Sequence, residues 1–145
     1  MANQAHIYAL KQGLDFWNRW RQEYQQVPPD LSQANLSQLD LSQFNLSRAN
    51  LRFANLSAAN LQRANLREAN LSLSNLARAN LTDAYLVGAD MTGAEVANAN
   101  LRDADLRNAN LKITRFSGAD LRGAKMAGAI TDGTIFDNAR RRKFF

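Results

Sequence analysis

The chain has no cysteine, which excludes disulfides, thiolate metal sites, iron–sulfur clusters and cysteine nucleophiles. A single histidine, His6, leaves little room for imidazole chemistry, and it is expected to be a surface or cap residue rather than a metal ligand. The two prolines, Pro28 and Pro29, are adjacent. No apolar run reaches the roughly 18 residues needed for a membrane span. The N-terminus lacks the basic-then-apolar layout of a secretory signal. Phosphate loops, dinucleotide fingerprints and metal-ligand spacings are also missing. The expectation is a cytoplasmic, non-enzymatic chain with no catalytic, cofactor-binding or metal residues and no cofactor. At 145 residues it has room for one domain.

Charge is plentiful but mixed. Eighteen basic and 13 acidic side chains give +5, yet the long middle of the chain is close to balanced. The clearest basic run is Arg140-Arg141-Arg142-Lys143, which reads more simply as a solvated tail than as a nucleic-acid site.

What the sequence has in abundance is a five-residue period. From Pro29 onward, central positions i fall at 31, 36, 41 and so on to 126 without an insertion. Sixteen of these 20 centres are leucine, the exceptions being Met91, Val96, Phe116 and Met126. Fifteen of the residues at i−2 are alanine, and 16 of those at i−1 are asparagine or aspartate.

Period five suits neither an α-helix, where the leucines would scatter round the cylinder, nor a continuous strand, where they would alternate faces. A short strand at i−2, i−1 and i followed by a corner reconciles the pattern. Alanine and leucine then face inward and Asn/Asp outward, and four corners close a 20-residue square coil. Stacked coils pair their backbones at about 4.8 Å, so the fold is an all-β solenoid of about five coils, roughly 24 Å tall. Leu31, Leu51, Leu71, Met91 and Leu111 form one interior column, and Phe116 should stack on Phe136 in another.

Six of the seven glycines (Gly88, Gly93, Gly118, Gly123, Gly128 and Gly133) sit at the i+2 corner. Before Gly88 the corner holds Gln33, Arg48, Phe53, Arg63 and other side chains. The change in residue type predicts type II corners after Gly88 and another turn type before it.

The run Ala-Asn-Leu-Ser-Ala, Ala-Asn-Leu-Gln-Arg, Ala-Asn-Leu-Arg-Glu resembles the pentapeptide-repeat family. The resemblance implies a right-handed quadrilateral β-helix with four repeats per coil. It covers residues 29–128, with 129–145 as partial repeats, a cap and the basic tail. The segment Trp17-Asn18-Arg19-Trp20-Arg21 is similar to leaders that precede such repeats in cyanobacterial proteins.

Open ends of a solenoid need covers. Residues 1–28 are expected to supply an N-terminal α-helical cap, with Ile7, Leu10, Leu14 and Trp17 on one stripe and Phe16, Trp20 and Tyr24 on the next. Leu39 and Phe44, which replace alanine in the first coil, could lean out to meet it. Ile130, Ile135, Phe144 and Phe145 could form a smaller C-terminal lid.

Residues 20 apart should be neighbours on the outer surface. Expected charge ladders pair Arg48 with Glu68, Arg63 with Asp83, Glu95 with Arg115 and Asp105 with Lys125, with Arg102 beside Arg122 as a like-charged exception. One corner column is apolar: Phe53, Leu73 and Ile113, with Tyr85 and Val87 on the preceding side. These five are the candidate interaction residues. The expected function is a non-catalytic scaffold for an unidentified protein partner, as a monomer or weak homodimer. Nucleic-acid binding is the alternative. Within the resemblance, DNA mimicry of the gyrase-protecting kind is disfavoured by the basic charge.

Overall fold

The computed structural model describes residues 1–141, so the expected roles of Arg142, Lys143, Phe144 and Phe145 lie outside the described residues. From Asp30 onward the chain returns beside itself every 20 residues. Parallel single-residue bridges run from Asp30↔Asn50 to Asp120↔Arg140, each centred on an i−1 position. Around one repeat, Asn50 N–H donates to Pro29 O at 2.7 Å, Leu51 N–H to Asn70 O at 2.7 Å and Phe53 N–H to Ser72 O at 3.2 Å. Each side of the coil is too short for a longer strand because a corner follows at once. The ladder continues past residue 128 to Arg140, so the repeat body extends beyond the boundary that residue types suggested.

Inside, Leu31, Leu51, Leu71, Met91 and Leu111 are fully buried, as is Phe116. Burying each is worth about 1.5–3 kcal/mol. The hydroxyl residues that replace alanine at i−2 are satisfied by backbone carbonyls: Ser74 Oγ donates to Leu71 O in its own turn and Thr114 Oγ1 to Met91 O in the neighbouring coil, at 2.7 and 2.8 Å.

The corners correct one expectation. Every i+2 residue from Gln33 (φ 60°) to Asn138 (φ 57°) has positive φ, whether glycine or not, while i+1 residues do not. A bond such as Ala54 N–H to Leu51 O, 3.0 Å, closes each turn. This is the type II pattern in both halves, with no change at Gly88. The i+2 N–H must point along the stack to the carbonyl of the next coil, so stacked corners have to be congruent. The ladder therefore imposes a left-handed conformation costing roughly 1–2 kcal/mol on Arg48, Phe53 or Leu73 alike.

The glycines answer a different constraint. A Cβ on Gly123 would lie 2.0 Å from Asp103 Oδ1, and one on Gly118 would lie 2.3 Å from Asn98 Oδ1. At these corners the Asn98 or Asp103 oxygen occupies the space that a side chain 20 residues later would need, as Asn108 Oδ1 does at Gly128.

The N-terminal cap is two helices rather than one. Helix α1 spans Gln4–Lys11 and α2 spans Leu14–Glu23. Gly13, at φ 99° and ψ 179°, breaks the helix between them because no helical turn accommodates that backbone. Asn3 caps α1, its Oδ1 accepting from Ala5 N–H at 2.9 Å. Leu10 and Trp17 are buried, while Leu14 and Trp20 are half-buried against the same core.

Cap side chains replace the missing coil by hydrogen bonding. Trp17 Nε1 donates to Asn45 O at 2.8 Å, and Asn18 Oδ1 accepts from Asn45 N–H at 2.8 Å. Arg21 donates to Val27 O and Ser47 O, both at 2.8 Å. Burial first, and the nearby Arg48 second, lower the Arg21 pKa. His6 Nδ1 accepts from Asp30 N–H at 2.9 Å, and its ring lies 5.1 Å from that of Trp20. Phe44 is buried with its ring 6.4 Å from Trp17, whereas Leu39 stays exposed.

At the other end Phe116 and Phe136 stack at 5.5 Å with 6° between planes. The Arg141 guanidinium lies 4.4 Å from the Phe136 ring centroid. Ile130 is exposed and Ile135 half-buried.

Candidate functional site

A positive-φ corner throws its side chain outward, so an apolar residue there cannot reach the core. Phe53, Leu73 and Ile113 are 49%, 43% and 57% exposed. They belong to one corner, 20 residues apart, with Gly93 between Leu73 and Ile113. A Cβ on Gly93 would meet Leu73 Cδ2 at 2.8 Å and Ile113 Cδ1 at 3.7 Å. The two side chains thus lean over the glycine from either side and close the gap. Without that glycine the ridge would be interrupted. Arg52 Cζ sits 4.8 Å from the centroid of Phe53 and extends the apolar surface with its stem.

Tyr85 and Val87 do not join this ridge. They occupy i−1 and i+1 of the preceding side, one full side of the prism away from the corner. Tyr85 is 41% exposed and Val87 half-buried. Arg67 covers the Tyr85 ring at 4.9 Å. The five candidate residues are therefore two features on different faces.

Surface electrostatics also differ from the expected ladders. Among the described residues, Arg63–Asp83 at 3.9 Å is the one ion pair between coils. Arg48–Glu68, Glu95–Arg115 and Asp105–Lys125 do not come within ion-pair distance. Carboxylates instead act inside their own pentad. The Oδ1 of i−1 accepts from the N–H of i+1, as in Asp90 to Thr92 at 3.0 Å, with the Thr92 hydroxyl adding a second bond at 2.6 Å. Where i+1 is arginine the grip is bidentate: Asp105 with Arg107 and Asp120 with Arg122. The Arg122 hydrogen bond is the main reason the Asp120 pKa falls to about 2. The signal for these pairs, Asp-Leu-Arg at 105–107 and 120–122, was present in the sequence. Arg21 and Asn18, which hold the cap to the first coil, lie in the leader-like segment Trp17–Arg21, but spacing alone gives no sign of their hydrogen-bond partners.

The repeating corners, 20-residue ladder and Asx-locked sides are matched by a family model. Pentapeptide repeats align over residues 30–67, 54–93 and 114–141. The chain belongs to the pentapeptide-repeat family. Its coil is accordingly the quadrilateral, right-handed β-helix of that family. Among solved structures, the pentapeptide-repeat protein Rfr23 from the cyanobacterium Cyanothece 51142 is 28% identical, with TM-score 0.71, over 85% of this chain and 96% of that one. The pentapeptide-repeat protein alr5209 from Nostoc Pcc 7120 is 30% identical over 76% of this chain and 90% of its own, with TM-score 0.40. HetL, from Nostoc sp. strain PCC 7120 and involved in heterocyst differentiation regulation, is 29% identical over 76% and 71%, with TM-score 0.37. No curated protein matches the chain significantly. Among the described residues no helix is long and apolar enough to cross a membrane.

Proposed function

We propose that this pentapeptide-repeat protein is a non-catalytic scaffold of about five coils that presents a rigid prism to a protein partner, and that the Phe53–Leu73–Ile113 ridge is the contact surface. The ridge carries the reading: three large apolar side chains stand exposed in register along one corner, closed over Gly93. Solvated apolar area of this kind is favourable to bury, at about 25 cal/mol per Å². The absence of an enzymatic role is supported by the use made of the carboxylates. Asp30, Asp40, Asp90, Asp105 and Asp120 all spend an oxygen on the backbone N–H two residues ahead. In this reading the chain is cytoplasmic and a monomer or weak homodimer.

The test is Phe53→Ser combined with Leu73→Ser. The variant is expected to keep its thermal unfolding transition while losing partner pulldown or self-association by light scattering. An unchanged pulldown and mass would contradict the reading.

A further inference from the structure

The cap does not cover the first coil evenly. On the side holding Asn45, the backbone groups that a preceding coil would satisfy are taken by Trp17, Asn18 and Arg21. On the side holding Asp30, His6 Nδ1 accepts from Asp30 N–H and Asn3 N–H donates to Asp30 O, while Ser32 O has no partner among the described residues. The next two sides, holding Asn35 and Asp40, have no such cover; on the latter, Asp40 N–H, Asp40 O and Ser42 O lack a partner among the described residues. Among the described residues, Asn35 N–H, Asn35 O and Ser37 O have no hydrogen-bond partner, although Asn35 is exposed and its neighbours Leu36 and Gln38 donate to the coil behind. Helix α1 runs past this edge at a distance that leaves a groove of about 420 Å³, lined among others by Ile7, Lys11, Ala34, Asn35 and Leu36. Lys11 takes part in none of the ion pairs among the described residues.

We propose that this groove binds an extended peptide segment of a partner protein, which continues the parallel ladder for one more rung. This site is separate from the ridge and would stand if the ridge failed. The occupant is defined by the register already present in the molecule. A residue aligned with Ala34 would offer its carbonyl to Asn35 N–H, as Pro29 O does for Asn50 N–H. A residue aligned with Leu36 would donate its N–H to Asn35 O, as Leu31 N–H does to Asn50 O. The residue two further on would donate to Ser37 O and turn the corner, which favours glycine there, as Gln33 N–H does to Arg52 O. Apolar side chains at the two inward positions would pack against Ile7 and Ala34, and a carboxylate between them suits Lys11. Edge backbone of this kind is a template for strand addition, and main-chain bonds supply the affinity while the lining supplies selectivity.

Two end-blocked fluorescein-labelled probes test this against the full chain by fluorescence anisotropy: the pentapeptide Val-Glu-Val-Ser-Gly, and the same peptide N-methylated at its third residue. The first is expected to bind saturably and the second about tenfold more weakly, since methylation removes the donor to Asn35 O. Lys11→Glu should weaken the first probe several-fold, and Phe53→Ser with Leu73→Ser should leave it unchanged. Hydrogen exchange at the Asn35 amide should slow when the first probe is bound. Equal binding of the two probes, or no saturation at millimolar concentration, overturns the proposal. So does a dimer in light scattering that Lys11→Glu dissociates, because a second copy would then own the groove.

Discussion

The corners before and after Gly88 have the same backbone and different side chains. In the first half, residues such as Gln33, Arg48, Phe53 and Arg63 hold φ near 60°, and in the second half glycine alternates with Asn98, Asp103, Asn108 and Ile113 at similar values. Residue preference therefore does not set the conformation here; the stack does. What differs is how side chains share the column. Glu68 leaves ordinary room, 3.5 Å, for a Cβ at Gly88, and the corner after Asp83 holds Asp103 rather than glycine. Short Asn and Asp in the second half place an oxygen over the next corner and leave room for glycine alone.

The largest expected difference between the halves comes from adding one carbon. Gly123→Ala should destabilise by about 3 kcal/mol in urea unfolding, combining overpacking against Asp103 with left-handed strain. Ala58→Gly, at a corner with φ 56° in the first half, should instead be stabilising or neutral, by about 1 kcal/mol at most. A similar loss at both sites would break the comparison.

The sides of the prism offer a smaller contrast. Asn50→Ala removes an acceptor for Arg52 N–H at 3.1 Å and should cost about 1 kcal/mol in the same assay. Acid should distinguish the halves more weakly still. Asp120 is held below its usual range by Arg122, to about 2. Its contribution is complete above the ordinary carboxylate pKa and is lost as pH falls through about 2. Asn60, Asn80 and Asn100 in the same column do not titrate, while Asp40 in the first coil is held below its usual range chiefly by the Ser42 hydroxyl rather than by an arginine. Asp120→Asn should therefore flatten the stability profile between pH 4 and pH 2, and an unchanged profile would remove the Asp–Arg pair from the account. His6 titrates in a separate window. Burial lowers its pKa, so the bond from Asp30 N–H is present above pH 6.5 and weakens as pH falls below it.

Much of this architecture was legible in the sequence because period five admits few geometries, and the apolar corner could be read from the 20-residue register alone. Three features could not be read that way. The left-handed corners at Phe53 or Arg48 are imposed by neighbours, and those residue types carry no local preference for them. The break at Gly13 depends on how α2 must turn to bring Trp17 and Arg21 onto the first coil. The 20-residue register points to charge partners one coil away, at about 4.8 Å, whereas Arg107 and Arg122 reach an Asp two residues back with two bonds each. The uncovered edge at Asn35 likewise follows from where the cap lies, which no pattern in residues 4–23 specifies.

The central claim, that Gly118, Gly123 and Gly128 are dictated by the Asn or Asp one coil earlier and not by a change of turn, is tested most directly by a double-mutant cycle in urea unfolding. Combining Asp103→Ala with Gly123→Ala should recover most of the loss caused by Gly123→Ala alone, leaving about 1 kcal/mol of left-handed strain. If the two substitutions simply add, Asp103 does not govern that position and the claim is contradicted.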